Sequence, residues 1–145
     1  MISCYVLSGI PGSGKTTLAR QLAEQDNAAV HSYDDMPEAN TKASMDGSVA
    51  QAWFQEIRKD LKEGKSVICD GINLTVMHRK EILSHIADIP CEKVLCFKIV
   101  PLETCLQRNR ERQASVPDFV IEQAARLLEP PTKDEGWDKI LVYRD

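Results

Sequence analysis

Residues 9–16 constrain this chain more than any other segment, because they match the pattern G-x-x-x-x-G-K-[ST] in full. An apolar run typical of a β-strand precedes them, and a helical pattern follows them. Glycines let the backbone curl so that successive N–H groups converge on phosphate oxygens, and the positive end of the next helix adds to the attraction. We call residues 9–16 the phosphate loop and expect them to bind a nucleotide.

The residues of this loop have separate expected roles. Lys15 should reach the β- and γ-phosphates, and the Thr16 hydroxyl should bind magnesium. The full set of expected nucleotide contacts in this part of the chain is Gly9, Gly12, Ser13, Gly14, Lys15, Thr16 and Thr17. A glycine-rich turn with a chance lysine is the alternative, and it does not account for the strand–loop–helix context. The motif indicates nucleotide binding more directly than it indicates a reaction, since ATPases and switches also use it.

Short β-rich runs alternate with helical patterns along the whole chain. Strands are predicted at residues 2–7, 28–32, 66–69, 93–100 and 140–143. Between the strands lie helical patterns, each with apolar residues on one face. The predicted apolar faces of three helices are Val49, Ala52, Trp53, Ile57 and Leu61; Ile82, Leu83 and Ile86; and Val120, Ala124, Leu127 and Leu128. Thr75 is a predicted N-cap, Gly64 a helix end, and Pro117 part of a first helical turn. This alternation predicts a three-layer α/β domain with a mostly parallel sheet, buried on both faces.

Composition excludes several other classes of protein. The chain has 145 residues, 43% of them hydrophobic and 28% charged, which fits one ordinary globular domain. A net charge of −4 gives no general attraction to nucleic acid, so a polynucleotide partner is disfavoured without being excluded. The five cysteines include no C-x-x-C pair and are expected to be buried, reduced thiols. We expect a cytoplasmic protein without a signal peptide, a membrane partner or a zinc site.

Acidic residues follow two of the predicted strands. Asp34 and Asp35 come after the second strand, and Asp70 ends the third. The carboxyl edge of a doubly wound sheet is where ligands bind, so these carboxylates are candidates for accepting a proton or holding magnesium. The alternative for Asp34 and Asp35 is a solvated turn, which aspartate also favours. Asn73 fits either a functional role or a turn in the left-handed conformation.

A basic helical segment follows the fourth strand. Arg108 and Arg112 are four residues apart and are expected to share one helix face, whereas Arg110 should point elsewhere. Guanidinium groups can stabilise a transferring phosphoryl group, although a solvated charged helix is the simpler alternative. The three histidines have no ligand spacing and are expected to be structural or exposed.

Taken together, these motifs resemble those of the P-loop kinases of the polynucleotide-kinase-like group, which includes the phage-type 5′-hydroxyl kinase domain, zeta toxins and small AAA-type kinases. The resemblance runs from Ile2 to about Arg112, and it rests on the phosphate loop, on a D-x-[TS]-N-L-like segment at residues 70–74 and on an R-N-x-x-R-like segment at residues 108–112. It implies one P-loop kinase domain over residues 1–145, with a five-stranded parallel sheet of order 2-3-1-4-5 and a lid helix near residues 102–115.

The same resemblance implies roles for individual residues. Asp34 would be the general base, Lys15 and Arg112 would stabilise the phosphoryl group, and Arg108 would join the nucleotide contacts. Thr16, with Asp35 or Asp70, would position magnesium. The expected activity is transfer of the γ-phosphoryl group of ATP, with magnesium, to an acceptor hydroxyl.

The chain departs from the family pattern where the acceptor would bind. Pro37 stands where the polynucleotide branch carries an arginine that grips substrate phosphate, and Ile72 replaces the threonine of its D-x-T-N pattern. The tail at residues 128–138 is similar to the endings of small P-loop kinases that act on tRNA-linked groups or other small acceptors. A polynucleotide 5′-hydroxyl, a small metabolite and a nucleotide therefore all remain candidate acceptors, and a nucleotide-dependent binding module or slow ATPase is the alternative from another class.

Overall fold

The computed structural model describes residues 1–37, 39, 47–71, 73–113 and 115–144. Its strands are β1 (Ser3–Ser8), β2 (Ala29–Ser32), β3 (Val67–Asp70), β4 (Glu92–Ile99) and β5 (Lys139–Arg144). Its α-helices are α1 (Lys15–Asp26), α2 (Ser48–Lys62), α3 (Val76–Ile86), α4 (Leu102–Glu111) and α5 (Asp118–Leu127). Every predicted strand is confirmed within one residue at each end. The expectations for Ile72 and for most of residues 36–48 lie outside the described residues.

The five strands form one parallel sheet in the order β2-β3-β1-β4-β5. β1 is central: Cys4 lies opposite Val67 of β3 on one side and opposite Lys93 of β4 on the other. The carboxyl end of β1, where the phosphate loop begins, therefore lies in the middle of the sheet edge. The predicted fold class and strand order are both confirmed.

Helices cover both faces of the sheet because side chains of β1 alternate between two buried clusters. Cys4 and Val6 pack with α2 and α3, through residues that include Trp53, Ile57, Leu61, Ile82 and Ile86. Tyr5 and Leu7 pack with α1, through Leu18, Ala19 and Leu22. Burial of each large apolar side chain contributes roughly 1.5–3 kcal/mol, so these two clusters hold the three layers together.

A third cluster lies at the carboxyl edge of the sheet and positions α4. It joins Ile10 of the phosphate loop to Val100, to Cys105 of α4 and to Ile121 and other residues of α5. Cys105 and Ile121 are fully buried. The helical hairpin α4–α5 is thereby packed directly against the phosphate loop.

Two predicted helix faces need correction. In α2, Ala52 is exposed and Phe54 is buried instead, because Phe54 packs into the cluster between α2 and α3. In α5, Leu127 is 51% exposed, whereas Ile121 is fully buried against α4. The face of α5 in this cluster includes Ala124 and Leu128, as predicted, but Ile121 takes the place predicted for Leu127.

Other local predictions are confirmed. The Thr75 hydroxyl accepts a hydrogen bond from the backbone N–H of His78 at 3.1 Å, which caps α3. Gly64 follows the end of α2 with a φ of 82°. All five cysteines are buried. His31 lies 2.6 Å from an Asp60 oxygen, a structural contact between β2 and α2. No helix among the described residues combines the length and hydropathy needed to cross a membrane.

Candidate active site

A cleft of about 680 Å³ opens at the carboxyl edge of the sheet, around the phosphate loop. It is lined by Pro11, Gly12, Ser13, Gly14, Lys15, Thr16, Thr17, Leu18, Gln21, Ser32, Asp34, Asp70, Gly71, Lys98, Arg108, Arg112, Tyr143 and Arg144. Five of these side chains are basic and two are acidic. Since the chain as a whole is acidic, this local excess of positive charge favours a bound polyanion.

The phosphate loop has the backbone conformation that its glycines allow. Gly12 and Gly14 have φ values of 86° and 93°, in the left-handed region. A Cβ atom on Gly12 would lie 2.7 Å from the carbonyl oxygen of Cys105, so α4 passes against the loop with no room for a side chain. The Ser13 hydroxyl is buried and has no hydrogen-bond partner among the described residues, so one polar group of the loop is unsatisfied in this part of the chain.

Lys15 extends from the first turn of α1 over the loop. Its ammonium group donates a hydrogen bond to the carbonyl of Ile10 at 3.3 Å. Burial lowers the pKa of Lys15 from its usual value, and the nearby carboxylates of Asp70 and Asp34 act in the opposite direction. A cation that is partly desolvated in this way gains more from a phosphate group than an exposed lysine would.

The two acidic residues of the cleft have different surroundings. Asp70 ends β3 and is only 9% exposed, and this burial raises its pKa, with Lys15 opposing the shift. Asp34 belongs to a short 3₁₀ turn after β2, Tyr33–Asp35, and is exposed to solvent. Asp34 also raises the pKa of Asp70, since two nearby carboxylates disfavour each other's ionised form. Asp70 is thus nearly buried beside the loop, whereas Asp34 faces the solvent.

Two residues that the sequence assigned to the site do not line the cleft. Asp35 is exposed on the same 3₁₀ turn as Asp34 but is absent from the cleft wall. Gly9 is packed beneath the loop, where a Cβ atom would lie 2.9 Å from the Ser13 hydroxyl. The remaining residues assigned to nucleotide, metal or catalysis all line the cleft. Their roles stay predictions.

The arginines reach the cleft differently from the way the sequence indicated. Arg108, on α4, donates a hydrogen bond to the carbonyl of Gly12 at 3.3 Å. The prediction that Arg112 lies on the same helix face as Arg108 is wrong, because α4 ends at Glu111 and Arg112 has an extended conformation. Arg112 nevertheless lines the cleft and acts electrostatically on Lys15. Arg110 points away, as predicted, and pairs with Asp118 at 2.7 Å.

Sequence reasoning missed the wall formed by β4 and β5. Lys98 lies beside Tyr143 on the neighbouring strand, and both line the cleft with Arg144. Lys98 also passes close to Gly14, since a Cβ atom there would lie 3.6 Å from its Cε atom. Lys98, Tyr143 and Arg144 could have been found by the pattern that identified Asp70, which is a polar residue near the carboxyl end of a strand in a doubly wound sheet.

The arrangement fits a nucleotide with magnesium. Among the residues that the structure describes, no group of three or more histidine, cysteine, aspartate or glutamate side chains could form a metal cage of its own. Magnesium in kinases needs no such cage, because one or two protein oxygens and the phosphates share its coordination. Thr16 and Asp70 offer oxygens of that kind on the cleft wall.

Comparisons with known proteins agree with this geometry. Residues 5–131 match the model of a family described as an AAA domain. The chain is 22% identical to Protein kti12 of Schizosaccharomyces pombe over 94% of its length, and 24% identical to the L-seryl-tRNA(Sec) kinase of Methanococcus maripaludis over 92%. The chain covers 54% and 55% of these two proteins, so it spans about half the length of the curated relatives that it matches.

Solved structures share the fold. A sugar kinase from Janibacter superposes with a TM-score of 0.76 at 20% identity, over 99% of this chain and 86% of that one. Chaetomium thermophilum Kti12 in complex with ADP-AlF3 superposes with a TM-score of 0.73, also at 20% identity, over 97% and 88% of the two chains. These similarities establish a fold used by nucleotide-binding proteins and kinases.

Proposed function

Because the chain belongs to the AAA domain family, among the small P-loop kinases, we propose that it transfers the γ-phosphoryl group of ATP, bound with magnesium, to an acceptor hydroxyl. One observation carries this proposal above the others. A single cleft contains the phosphate loop with Lys15 and two carboxylates, Asp34 and Asp70, that act electrostatically on that lysine. A site built only to bind a polyanion gains nothing from two carboxylates beside its central lysine.

The chain's own groups divide the work of the reaction between them. The N–H groups of the phosphate loop and the Lys15 ammonium hold the β- and γ-phosphates. Arg112 stabilises negative charge on the phosphoryl group during transfer, and Arg108 fastens the nucleotide from the side of α4. We assign the lid role to α4, which packs on the loop at Gly12. Catalysis in this arrangement consists mainly of positioning and electrostatics.

Asp34 accepts the proton of the attacking hydroxyl. Its exposure suits contact with an acceptor that arrives from solvent, whereas Asp70 is nearly buried beside the loop. Asp70 and Thr16 are the residues that would hold magnesium, and magnesium would neutralise charge on the phosphates when bound. Asp35 is a weaker candidate for that role because it does not line the cleft.

The acceptor is proposed as a small hydroxyl-bearing molecule or a tRNA-linked group. The net charge of −4 and Pro37, in place of a phosphate-gripping arginine, both disfavour a long polynucleotide. The relatives support a hydroxyl acceptor through their names, since one is an L-seryl-tRNA(Sec) kinase and one a sugar kinase.

The test measures ADP release from ATP and magnesium against a panel of nucleosides, sugars, seryl-tRNA and RNA with a 5′-hydroxyl end. Asp34→Asn should lower acceptor-stimulated release by roughly 10²–10⁴-fold, the usual contribution of a general base, with ATP affinity little changed. Asp26→Asn is the matched control, because Asp26 is an exposed aspartate at the far end of α1. Asp70→Asn should raise the magnesium concentration needed for ATP binding far more than Asp35→Asn does.

Two outcomes of these assays would contradict the proposal. Normal acceptor-stimulated turnover in Asp34→Asn contradicts the base assignment. A slow ADP release that no acceptor changes favours the nucleotide-dependent binding module over the kinase.

A further inference from the structure

Arg79 is fully buried on α3, a helix that does not line the cleft. Burial of an isolated guanidinium is strongly unfavourable, so its partners reveal what the charge is used for. Its Nε atom donates to Glu135 Oε1 at 2.7 Å and its Nη2 atom to Glu135 Oε2 at 3.1 Å, in the bidentate geometry that arginine makes with carboxylates. Both side chains have no exposed surface.

Arg79 also donates to backbone carbonyls, namely that of Pro130 in the tail, through Nη2 at 3.4 Å, and two in the loop after β3. Its Nη1 atom lies 3.3 Å from the carbonyl oxygen of Asn73 and 3.1 Å from that of Leu74. This loop begins directly after Asp70, the buried carboxylate of the cleft, and it includes Gly71 on the cleft wall. The buried ion pair therefore fixes the backbone at Asn73 and Leu74, a few residues after the cleft carboxylate.

Asn73 links that loop to the strand from which the phosphate loop emerges. Its side-chain amide donates to the carbonyl of Leu7 at 2.8 Å, and its carbonyl accepts from the Ser8 hydroxyl at 2.7 Å. Leu7 and Ser8 are the last residues of β1 before Gly9. Asn73 has a φ of 47°, a left-handed conformation that asparagine tolerates better than most residues. The left-handed turn, one of the two alternatives for Asn73, is therefore confirmed, and its side chain also links this turn to β1.

The partner carboxylate is held as firmly as the arginine. Glu135 accepts a hydrogen bond from the backbone N–H of Thr132 at 2.7 Å, within a capping box, and another from the Trp137 indole at 3.1 Å. Among the described residues, the hydrogen bonds to the Glu135 carboxylate thus come from the tail and from Arg79, which orients the guanidinium toward the loop.

We propose that Arg79 and Asn73 are positioning residues of the kinase site, which hold Asp70 and the phosphate loop in a fixed relation to each other. The inference rests on the proposed function, because it concerns the magnesium-side carboxylate of that reaction. Lysine could not replace Arg79, since only a planar fork can bind Glu135 and two carbonyls at once. A displacement of about 1 Å between such groups can cost roughly 100-fold in rate.

The decisive variant is Asn73→Gly. Glycine tolerates the positive φ and keeps the backbone carbonyl, so only the amide link to Leu7 is removed. Asn27→Gly is the matched control, because Asn27 has a φ of 52° at the exposed end of α1. The dissociation constant of ATP is measured for each protein with magnesium and with EDTA, beside the melting temperature. Ile86→Val is added as a control for lost stability, since Ile86 is a core residue of α3.

Magnesium should strengthen ATP binding to the wild type, and we expect this strengthening to be about tenfold or more smaller in Asn73→Gly and in Arg79→Lys. The dissociation constant of ATP in EDTA should stay within about threefold of the wild-type value in both variants. Asn27→Gly and Ile86→Val should keep the whole gain. If magnesium strengthens ATP binding to Asn73→Gly and Arg79→Lys as much as to the wild type, both residues are purely structural and the inference is overturned. If the wild-type protein gains no affinity from magnesium, the proposed function fails, and the inference fails with it.

Discussion

Gly12→Ala is expected to affect nucleotide binding far more than an ordinary glycine substitution does. A Cβ atom at Gly12 would lie 2.7 Å from the Cys105 carbonyl oxygen and 3.2 Å from its Cα atom. An alanine at a φ of 86° costs about 1–2 kcal/mol in the backbone alone. The overlap with rigid backbone of α4 adds roughly 1–3 kcal/mol, the usual penalty for overpacking. The total expected loss in the free energy of unfolding is therefore about 2–5 kcal/mol.

The chain supplies its own reference for the backbone part of that loss. Gly64 has a φ of 82°, and no atom of the described residues lies within 4 Å of where its Cβ would be, so Gly64→Ala should cost only about 1–2 kcal/mol. Urea denaturation of both variants gives the difference, which isolates the contact with α4. If the two variants lose the same stability, the loop and α4 are not in the close contact described above.

Calorimetric titration with ATP and magnesium tests the consequence for binding. Relief of the overlap moves α4 away from the loop and carries Arg108 with it, so Gly12→Ala should lose at least tenfold in affinity, about 1.4 kcal/mol. Gly64→Ala should bind as the wild type does. Wild-type affinity in Gly12→Ala would refute the reasoning that α4 holds a nucleotide contact in place.

Three further predictions concern separate parts of the fold. Thr75→Ala should lower the free energy of unfolding by about 1 kcal/mol, measured in urea, because α3 loses its N-cap. Burial alone would raise the pKa of Glu135. Its hydrogen bonds, of which the one from Arg79 is the strongest, outweigh burial and hold this pKa below the usual 4.5. The stability that Glu135 contributes is therefore present above about pH 4.5 and is lost as pH falls through the lowered pKa. Melting curves measured from about pH 7 to pH 3 should show this loss in the wild type and not in Glu135→Gln. Lys98→Met should weaken ATP binding and reduce its dependence on salt, whereas Arg110→Met, outside the cleft, should change neither in the same titrations.

The parts of the fold that follow from local chemistry could be predicted from the sequence. The phosphate loop needs glycine at Gly12 and Gly14, and both have the positive φ that makes another residue unfavourable. β1 and β3 are nearly continuous apolar runs because both of their faces are buried, and their ends were predicted within one residue. The edge strands β2 and β5 are more exposed than predicted, because among the described residues each has a neighbouring strand on one side alone. Asp34 and Asp70 followed from their places after strands.

The parts that depend on distant partners could not be predicted in this way. Arg79 reads as one more charged residue on α3, and only its approach to Glu135, 56 residues later, makes it a buried ion pair. The cleft wall at Lys98 and Tyr143 requires β5 to lie beside β4, which no local pattern specifies. Ile121 is buried and Leu127 is exposed because α4 selects the face of α5, although both residues are equally apolar.

The hydrogen bonds from Lys15 to Ile10 and from Arg108 to Gly12 have a consequence for turnover. In both, a side chain that is expected to bind phosphate is held by a carbonyl of the loop itself, each at 3.3 Å. In the proposed function, a phosphate oxygen of the nucleotide would replace a loop carbonyl as the hydrogen-bond acceptor of each cation. In the proposed reaction, release of the product nucleotide would return the two cations to these same carbonyls.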